Sequence, residues 1–186
     1  TAVGNTLSIA QTSPDPDGTG PWTVSWQAAL PGGTCLPVGS TSTYTITTSD
    51  EGKQVRAVVS YIDGLNNLEA LTVAAGTVPF VNNGSASFAI SGTVAVGNTL
   101  SAMLQSNDPD GNGPFSYTWQ ASTNGANWNT LGSAASFLIP TTEEGKQLRL
   151  GINYRDAQGF RETLSIPTQT IPLFNNGAAS FSISGL

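Results

Sequence analysis

Apolar residues alternate with polar ones through most of this chain. Leu148, Leu150, Ile152 and Tyr154 share one phase, and so do Phe115, Tyr117 and Trp119. Earlier, Val55, Ala57, Val59 and Tyr61 repeat the first series, and Trp22, Val24 and Trp26 the second. Successive side chains of a strand point to opposite faces, so this alternation predicts half-buried strands. No segment carries a helical stripe. Turn residues (Gly, Pro, Asn, Asp) separate the runs at short intervals, which suggests a sandwich of about seven strands.

The chain also aligns with itself without a gap when shifted by 93 positions, so its 186 residues hold two full periods. Gly4-Asn5-Thr6-Leu7-Ser8 falls on Gly97-Asn98-Thr99-Leu100-Ser101, and Asp15-Pro16-Asp17-Gly18 on Asp108-Pro109-Asp110-Gly111. Trp26-Gln27 matches Trp119-Gln120, and Glu51-Gly52-Lys53-Gln54 matches Glu144-Gly145-Lys146-Gln147. All 12 acidic residues pair across the repeat, and only Asp50 and Glu143 differ in type. Arg155 and Arg161 have no basic counterpart in the first copy.

The joint between copies falls in Val78-Pro79-Phe80-Val81-Asn82-Asn83-Gly84, where Pro interrupts a ladder and Asn-Asn-Gly favours a turn. The expected organisation is a first module over 1–83 and a second over 84–177, with 178–186 the opening strand of a third. By this reading the chain starts in mid-pattern and the first module lacks its own opening strand. Strand addition between neighbouring molecules, through 178–185, would satisfy both ends.

Composition narrows the function classes. Charged residues make up 10 % of the chain, whereas Gly, Ser, Thr and Asn, all mediocre helix formers, are abundant. A net charge of −6 argues against nucleic acid and anionic membranes as partners. It suits a secreted protein or the binding of hard cations. No apolar run is long enough to span a membrane, and the start does not read as a signal peptide. Cys35 is the sole cysteine, so no intrachain disulfide forms. With no histidine, Ser-His-Asp and Cys-His catalysis and imidazole-based zinc sites are excluded. Paired carboxylates remain for glycoside hydrolysis, but duplicated acids in small modules argue against a catalytic cleft.

The order of landmarks resembles an immunoglobulin-like domain: Gly-Asn-Thr-Leu opening a strand, Tyr117-Thr118-Trp119-Gln120 as a strand with a buried Trp, then the Glu144-Gly145-Lys146 turn. The chain departs from antibody domains in lacking both cysteines. It is closer to the bacterial immunoglobulin-like, cadherin-like tandem repeats of large adhesins and secreted proteins, including giant repeat proteins of cyanobacteria. That resemblance covers the whole chain and implies an all-β fold of two tandem sandwiches. It also implies an extracellular or cell-surface location, a non-enzymatic spacer or stalk role, and neighbouring modules as partners. The alternative is an accessory carbohydrate- or ligand-binding module of a secreted enzyme.

Asp15-Pro16-Asp17-Gly18 and Asp108-Pro109-Asp110-Gly111 admit two readings. One is a type I turn, with Asp first, Pro second and Gly fourth. The other is calcium, bound by Asp oxygens and free carbonyls. In an immunoglobulin-like sandwich the relevant loops share one end, which would bring Asp108 and Asp110 near Asp156, with Asn82 and Asn83 entering there. Asp50 and Glu51 of the preceding module would face them, as in cadherin-like arrays. Asp15, Asp17 and Asp63 are the first-copy counterparts. Calcium is thus the one cofactor expected, at these residues or not at all.

Three other features have simpler readings. Lys53 and Lys146 follow Glu-Gly and read as turn residues rather than as cross-linking lysines. Trp128 lies in a hairpin after Asn124-Gly125-Ala126-Asn127 and reads as edge packing rather than as a sugar platform. Cys35 has no neighbour that would activate it.

Overall fold

The structure is a computed structural model that describes residues 1–185. It divides into two compact units, Thr1–Val81 and Asn82–Leu186. Each is an all-β sandwich of antiparallel strands.

Unit 1 contains β1 (Thr6–Ser8), β2 (Thr19–Ala29), β3 (Leu36–Gly39), β4 (Thr43–Thr45), β5 (Gln54–Asp63) and β6 (Leu68–Thr77). One sheet runs β3-β2-β5-β6, and β1 pairs with β4 in a second sheet of two strands. Unit 2 contains β7 (Ser87–Ser91), β8 (Thr99–Ser106), β9 (Ser116–Ser122), β10 (Asn129–Gly132), β11 (Ser136–Leu138), β12 (Gln147–Arg155) and β13 (Arg161–Thr170). Its larger sheet runs β10-β9-β12-β13 and its smaller one β11-β8-β7. The element series is therefore the same, except that unit 2 begins with one more strand. Among the described residues no helix is long and apolar enough to cross a membrane.

The period-two pattern fills each core as expected. In unit 2, Leu148, Leu150, Ile152 and Tyr154 are buried along β12 in one core with Leu100, Trp119 and Ile139. In unit 1, Val24, Trp26, Ala28, Val55 and Ala57 do the same work with Ile46 and Val78. Both central tryptophans bury their rings and still satisfy the indole N–H, which a buried polar group requires. Trp26 Nε1 donates to Thr41 O at 2.9 Å, and Trp119 Nε1 to Ala134 O at 3.0 Å. Trp26 stacks on Tyr44, and Trp119 on Phe137. Trp22 is half-buried and packs against the unit 1 core.

A single-turn 3-10 element precedes β5 at Thr48–Asp50 and β12 at Thr141–Glu143. The Gly that follows each, Gly52 and Gly145, has φ of 72° and 71°, a left-handed conformation that favours glycine.

Candidate functional site

The acidic loops converge because backbone bonds tie them together. In unit 2, Ala157 N–H donates to Gly111 O at 3.1 Å, joining the β8–β9 loop to the β12–β13 turn. Gly113 makes this approach sterically feasible, since a Cβ there would run into the Arg155 carbonyl oxygen. Unit 1 uses the same contact, with Gly64 N–H donating to Gly18 O at 3.2 Å, and shares that N–H with Asp17 O at 3.0 Å. Asp108 and Asp156 are thereby brought to one end of unit 2.

Each turn is closed as the Asp-Pro-Asp-Gly pattern predicts: Gly18 N–H donates to Asp15 O and Gly111 N–H to Asp108 O, both at 3.0 Å. The side chains add caps. Asp15 Oδ1 accepts the Asp17 N–H at 2.9 Å, and Asp108 Oδ1 accepts the Asp110 N–H at 2.8 Å. The second oxygen of each takes a tyrosine hydroxyl: Tyr61 Oη donates to Asp15 Oδ2 at 2.7 Å, and Tyr154 Oη to Asp108 Oδ2 at 2.5 Å. The hydrogen bond to Asp15 is the main cause that raises Tyr61 to about 12, with burial adding to it. For Tyr154 burial leads and the Asp108 bond follows, again to about 12.

The remaining acids also hold backbone. Asp63 Oδ1 accepts the N–H groups of Leu65 at 2.8 Å and Asn67 at 2.7 Å, and Oδ2 accepts from Asn67 Nδ2 at 3.0 Å. The two Asn67 bonds, with the Leu65 bond, hold the Asp63 carboxyl below its usual range, although burial acts the other way. Asp156 Oδ1 accepts from Gly159 N–H at 2.6 Å and Phe160 N–H at 2.8 Å. Asp50 Oδ2 accepts from Tyr44 Oη at 2.6 Å, Thr47 N–H at 2.9 Å and Thr47 Oγ1 at 3.0 Å. Burial pushes the Asp50 carboxyl up, but these bonds and the Lys53 charge together hold it below its ordinary value.

The one acid pair that differs in type now has a physical reason. Phe137 stands where the first copy has Tyr44, so no tyrosine hydroxyl reaches Glu143, whose Oε1 accepts from Thr142 Oγ1 at 3.1 Å. Glu143 instead pairs with Lys146 at 3.2 Å. This also accounts for Lys146 as an ion-pair partner at the turn.

One group goes beyond capping. Carboxylate oxygens of Asp108, Asp156 and Glu162 lie within 4.8 Å of one another, and among the described residues no other such group of three metal-ligating side chains occurs. Asp108 and Asp156 are buried, and Asp156 Oδ2 has no hydrogen-bond partner. Three converging acids repel, and a hard cation with oxygen ligands would relieve that repulsion. Glu162 was not among the residues expected from sequence. It lies directly across from Tyr154 in the β12–β13 ladder, and it belongs to the paired acids through Glu69, which was the available signal.

The connector residues meet the same end of unit 2. Asn83 N–H donates to Asp110 Oδ2 at 2.6 Å and Asn83 Nδ2 to Asp110 Oδ1 at 2.9 Å. Asn82 Nδ2 donates to Glu162 Oε1 at 2.7 Å, and Ala86 N–H donates to Tyr154 Oη at 2.7 Å. Asp110 is thus a clamp for the incoming chain. In unit 1, Asp17 is exposed, and Glu51 Oε2 accepts from Val81 N–H at 3.4 Å.

Trp128 is half-buried, donates its indole N–H to Gly125 O at 3.0 Å, and carries the Arg149 guanidinium 4.2 Å over its ring. One ring face is therefore occupied by a cation. Cys35 is a free, half-buried thiol. No known protein-family model matches the chain, and no curated protein matches it.

Proposed function

We propose that the chain is a non-enzymatic structural stretch of a bacterial extracellular or cell-surface protein, acting as a spacer or stalk of serial sandwich modules. The observation that carries this reading is the fastening of the connector. At the end of unit 1, Val78 N–H donates to Lys53 O and Gly52 N–H to Val78 O, 2.9 Å each, before Val81 reaches Glu51. At the start of unit 2, Asn82, Asn83 and Ala86 are bonded to Glu162, Asp110 and Tyr154. Unit 2 ties its own outgoing segment in the same way, with Ile171 N–H donating to Lys146 O at 2.9 Å and Gly145 N–H to Ile171 O at 3.0 Å. Each unit thus binds the connector residues on its own side, as serial modules of a spacer require. Small-angle scattering on dilute chain tests this. The wild type should give a narrow distribution of maximum dimensions, and Asp110→Ala combined with Glu51→Ala a broader one. A wild type that already scatters as two freely jointed bodies would reject the spacer reading.

The proposal includes calcium at Asp108, Asp156 and Glu162, supported by the convergence of three carboxylates and the unpartnered Asp156 Oδ2. Millimolar calcium should raise the melting temperature of unit 2, because a ligand of the folded state stabilises it. Glu162→Gln should remove that rise. An unchanged midpoint sinks the calcium part and leaves the spacer part to the scattering result.

A further inference from the structure

The β5–β6 and β12–β13 turns are built alike up to one side chain. Asp63 and Asp156 open them, and their N–H groups donate to Asn67 O and Phe160 O, both at 3.0 Å. One carboxylate oxygen then accepts the returning N–H. Asn67 N–H donates to Asp63 Oδ1 at 2.7 Å, and Phe160 N–H to Asp156 Oδ1 at 2.8 Å. The left-handed residue of each turn also corresponds, Asn66 with φ of 70° and Gly159 with φ of 100°. Both aspartates are buried.

The difference lies at the second oxygen. In unit 1, Asn67 Nδ2 donates to Asp63 Oδ2 at 3.0 Å, so the turn satisfies its own carboxylate. Phe160 holds the corresponding position in unit 2, and its ring has no hydrogen to donate. Asp156 Oδ2 is left buried without a partner. Gln158, where unit 1 has Leu65, adds a second buried acceptor to the same turn, since its Oε1 also lacks a partner. A buried anionic oxygen without a donor is unfavourable unless positive charge reaches it.

The Asp15 and Asp108 positions do not distinguish the copies, for each accepts one backbone N–H and one tyrosine hydroxyl. Glu69 pairs across its ladder with Tyr61 as Glu162 does with Tyr154. Yet among the described residues only Asp108, Asp156 and Glu162 bring carboxylate oxygens within 4.8 Å of one another. The three acids are thus duplicated, and the donor that occupies the second aspartate oxygen is not.

We propose that the side chain four residues after this aspartate decides which copy takes a cation, a proposal that rests on calcium binding at Asp108, Asp156 and Glu162. Phe160 leaves Asp156 Oδ2 open to a hard cation, which seeks charged oxygens, so unit 2 binds one ion. Asn67 is the built-in substitute in unit 1. A cation there would have to displace the amide from Asp63 Oδ2, so unit 1 binds none. The whole chain therefore takes a single calcium ion, although its acids come in pairs.

Isothermal titration calorimetry of the full chain with calcium chloride tests this. The wild type should bind one ion per chain. Glu162→Gln should abolish that binding, and Glu69→Gln should leave it in place. Phe160→Asn, which gives unit 2 the amide of unit 1, should weaken binding by about 10–100-fold. Phe160→Leu removes the ring without adding a donor, and should bind at least about tenfold more tightly than Phe160→Asn. Circular dichroism should show both variants folded; if Phe160→Asn is not, the stoichiometry and Glu69→Gln still decide. A wild type that takes no calcium overturns the calcium reading and this inference with it. Two ions per chain, loss of binding in Glu69→Gln, or wild-type affinity in Phe160→Asn overturns this inference and leaves calcium in unit 2 standing. Equal losses in Phe160→Leu and Phe160→Asn overturn it as well, because the ring rather than the donor then controls the site.

Discussion

Unit 1 and unit 2 are built from nearly the same pattern, yet one edge of unit 1 is open. The same inward phase on the last strand leaves Leu71 and Val73 half in water but half-buries Leu164 and Ile166. The same acid is exposed as Asp17 and buried as Asp110. The only topological difference is β7, five residues that cover one edge of the smaller sheet. The lesson is that a 93-residue period does not close on itself. Its core and its acid clamp are completed by the segment that leads into it, so the connector is a structural part of the following module.

Substitutions can break that comparison at its strongest point first. Trp119 is fully buried, and Trp119→Ala should cost about 3–5 kcal/mol, read as loss of the unit 2 transition in a denaturant melt. Trp26→Ala, in the unit with the open edge, should leave no measurable folded unit 1 under the same conditions.

Tyr154→Phe comes next. It strips Asp108 Oδ2 and the Ala86 N–H of a shared partner in a buried site, and should cost about 1–3 kcal/mol by urea unfolding. Tyr61→Phe removes the corresponding bond to Asp15 where no incoming strand shares it, and its midpoint should move less. Equal shifts would mean that β7 adds nothing to the tyrosine's role.

A smaller effect comes from moving the cap between units. Phe137→Tyr with Glu143→Asp installs in unit 2 the bond that Tyr44 makes with Asp50. A double-mutant cycle should return a favourable coupling of about 0.5–1.5 kcal/mol, offset in part by the loss of the Lys146 pair.

The smallest effect is read at alkaline pH. Tyr44, Tyr61 and Tyr154 are each raised from 10.0 to about 12, with burial first for Tyr44 and Tyr154 and the Asp15 bond first for Tyr61. A raised folded-state value means that the stability from these hydroxyls is fully present below pH 10.0 and is lost as pH rises through about 12. Tyrosine carbon chemical shifts followed from pH 9 to 12.5 should therefore show three late titrations, and a normal midpoint for Tyr61 would contradict its bond to Asp15.

Much of the fold was legible because it rests on local periodicity. The runs ending at Tyr61 and Tyr154 and those holding Trp26 and Trp119 became the central strands with the expected faces inward. Trp22 shares the inward phase and packs half-buried against the core, as its counterpart Phe115 does in unit 2. The site was legible only in part. That Asp108 and Asp156 meet followed from which loops share an end, but the tyrosine partners lie 46 residues away in sequence, beyond any local pattern. Glu162 enters the group through cross-strand register, which a hairpin sets in space and a single sequence does not print. The reason for Asp50 against Glu143 likewise needed the Tyr44 and Phe137 positions, which come close only through folding.

The most direct measurement grafts a copy of residues 82–93 ahead of Thr1 of the 186-residue chain and follows its two unfolding transitions. The account predicts that the unit 1 transition moves up towards that of unit 2, while unit 2 stays where it was. A unit 1 transition that does not move, or one that already lies above unit 2 without the graft, would contradict it.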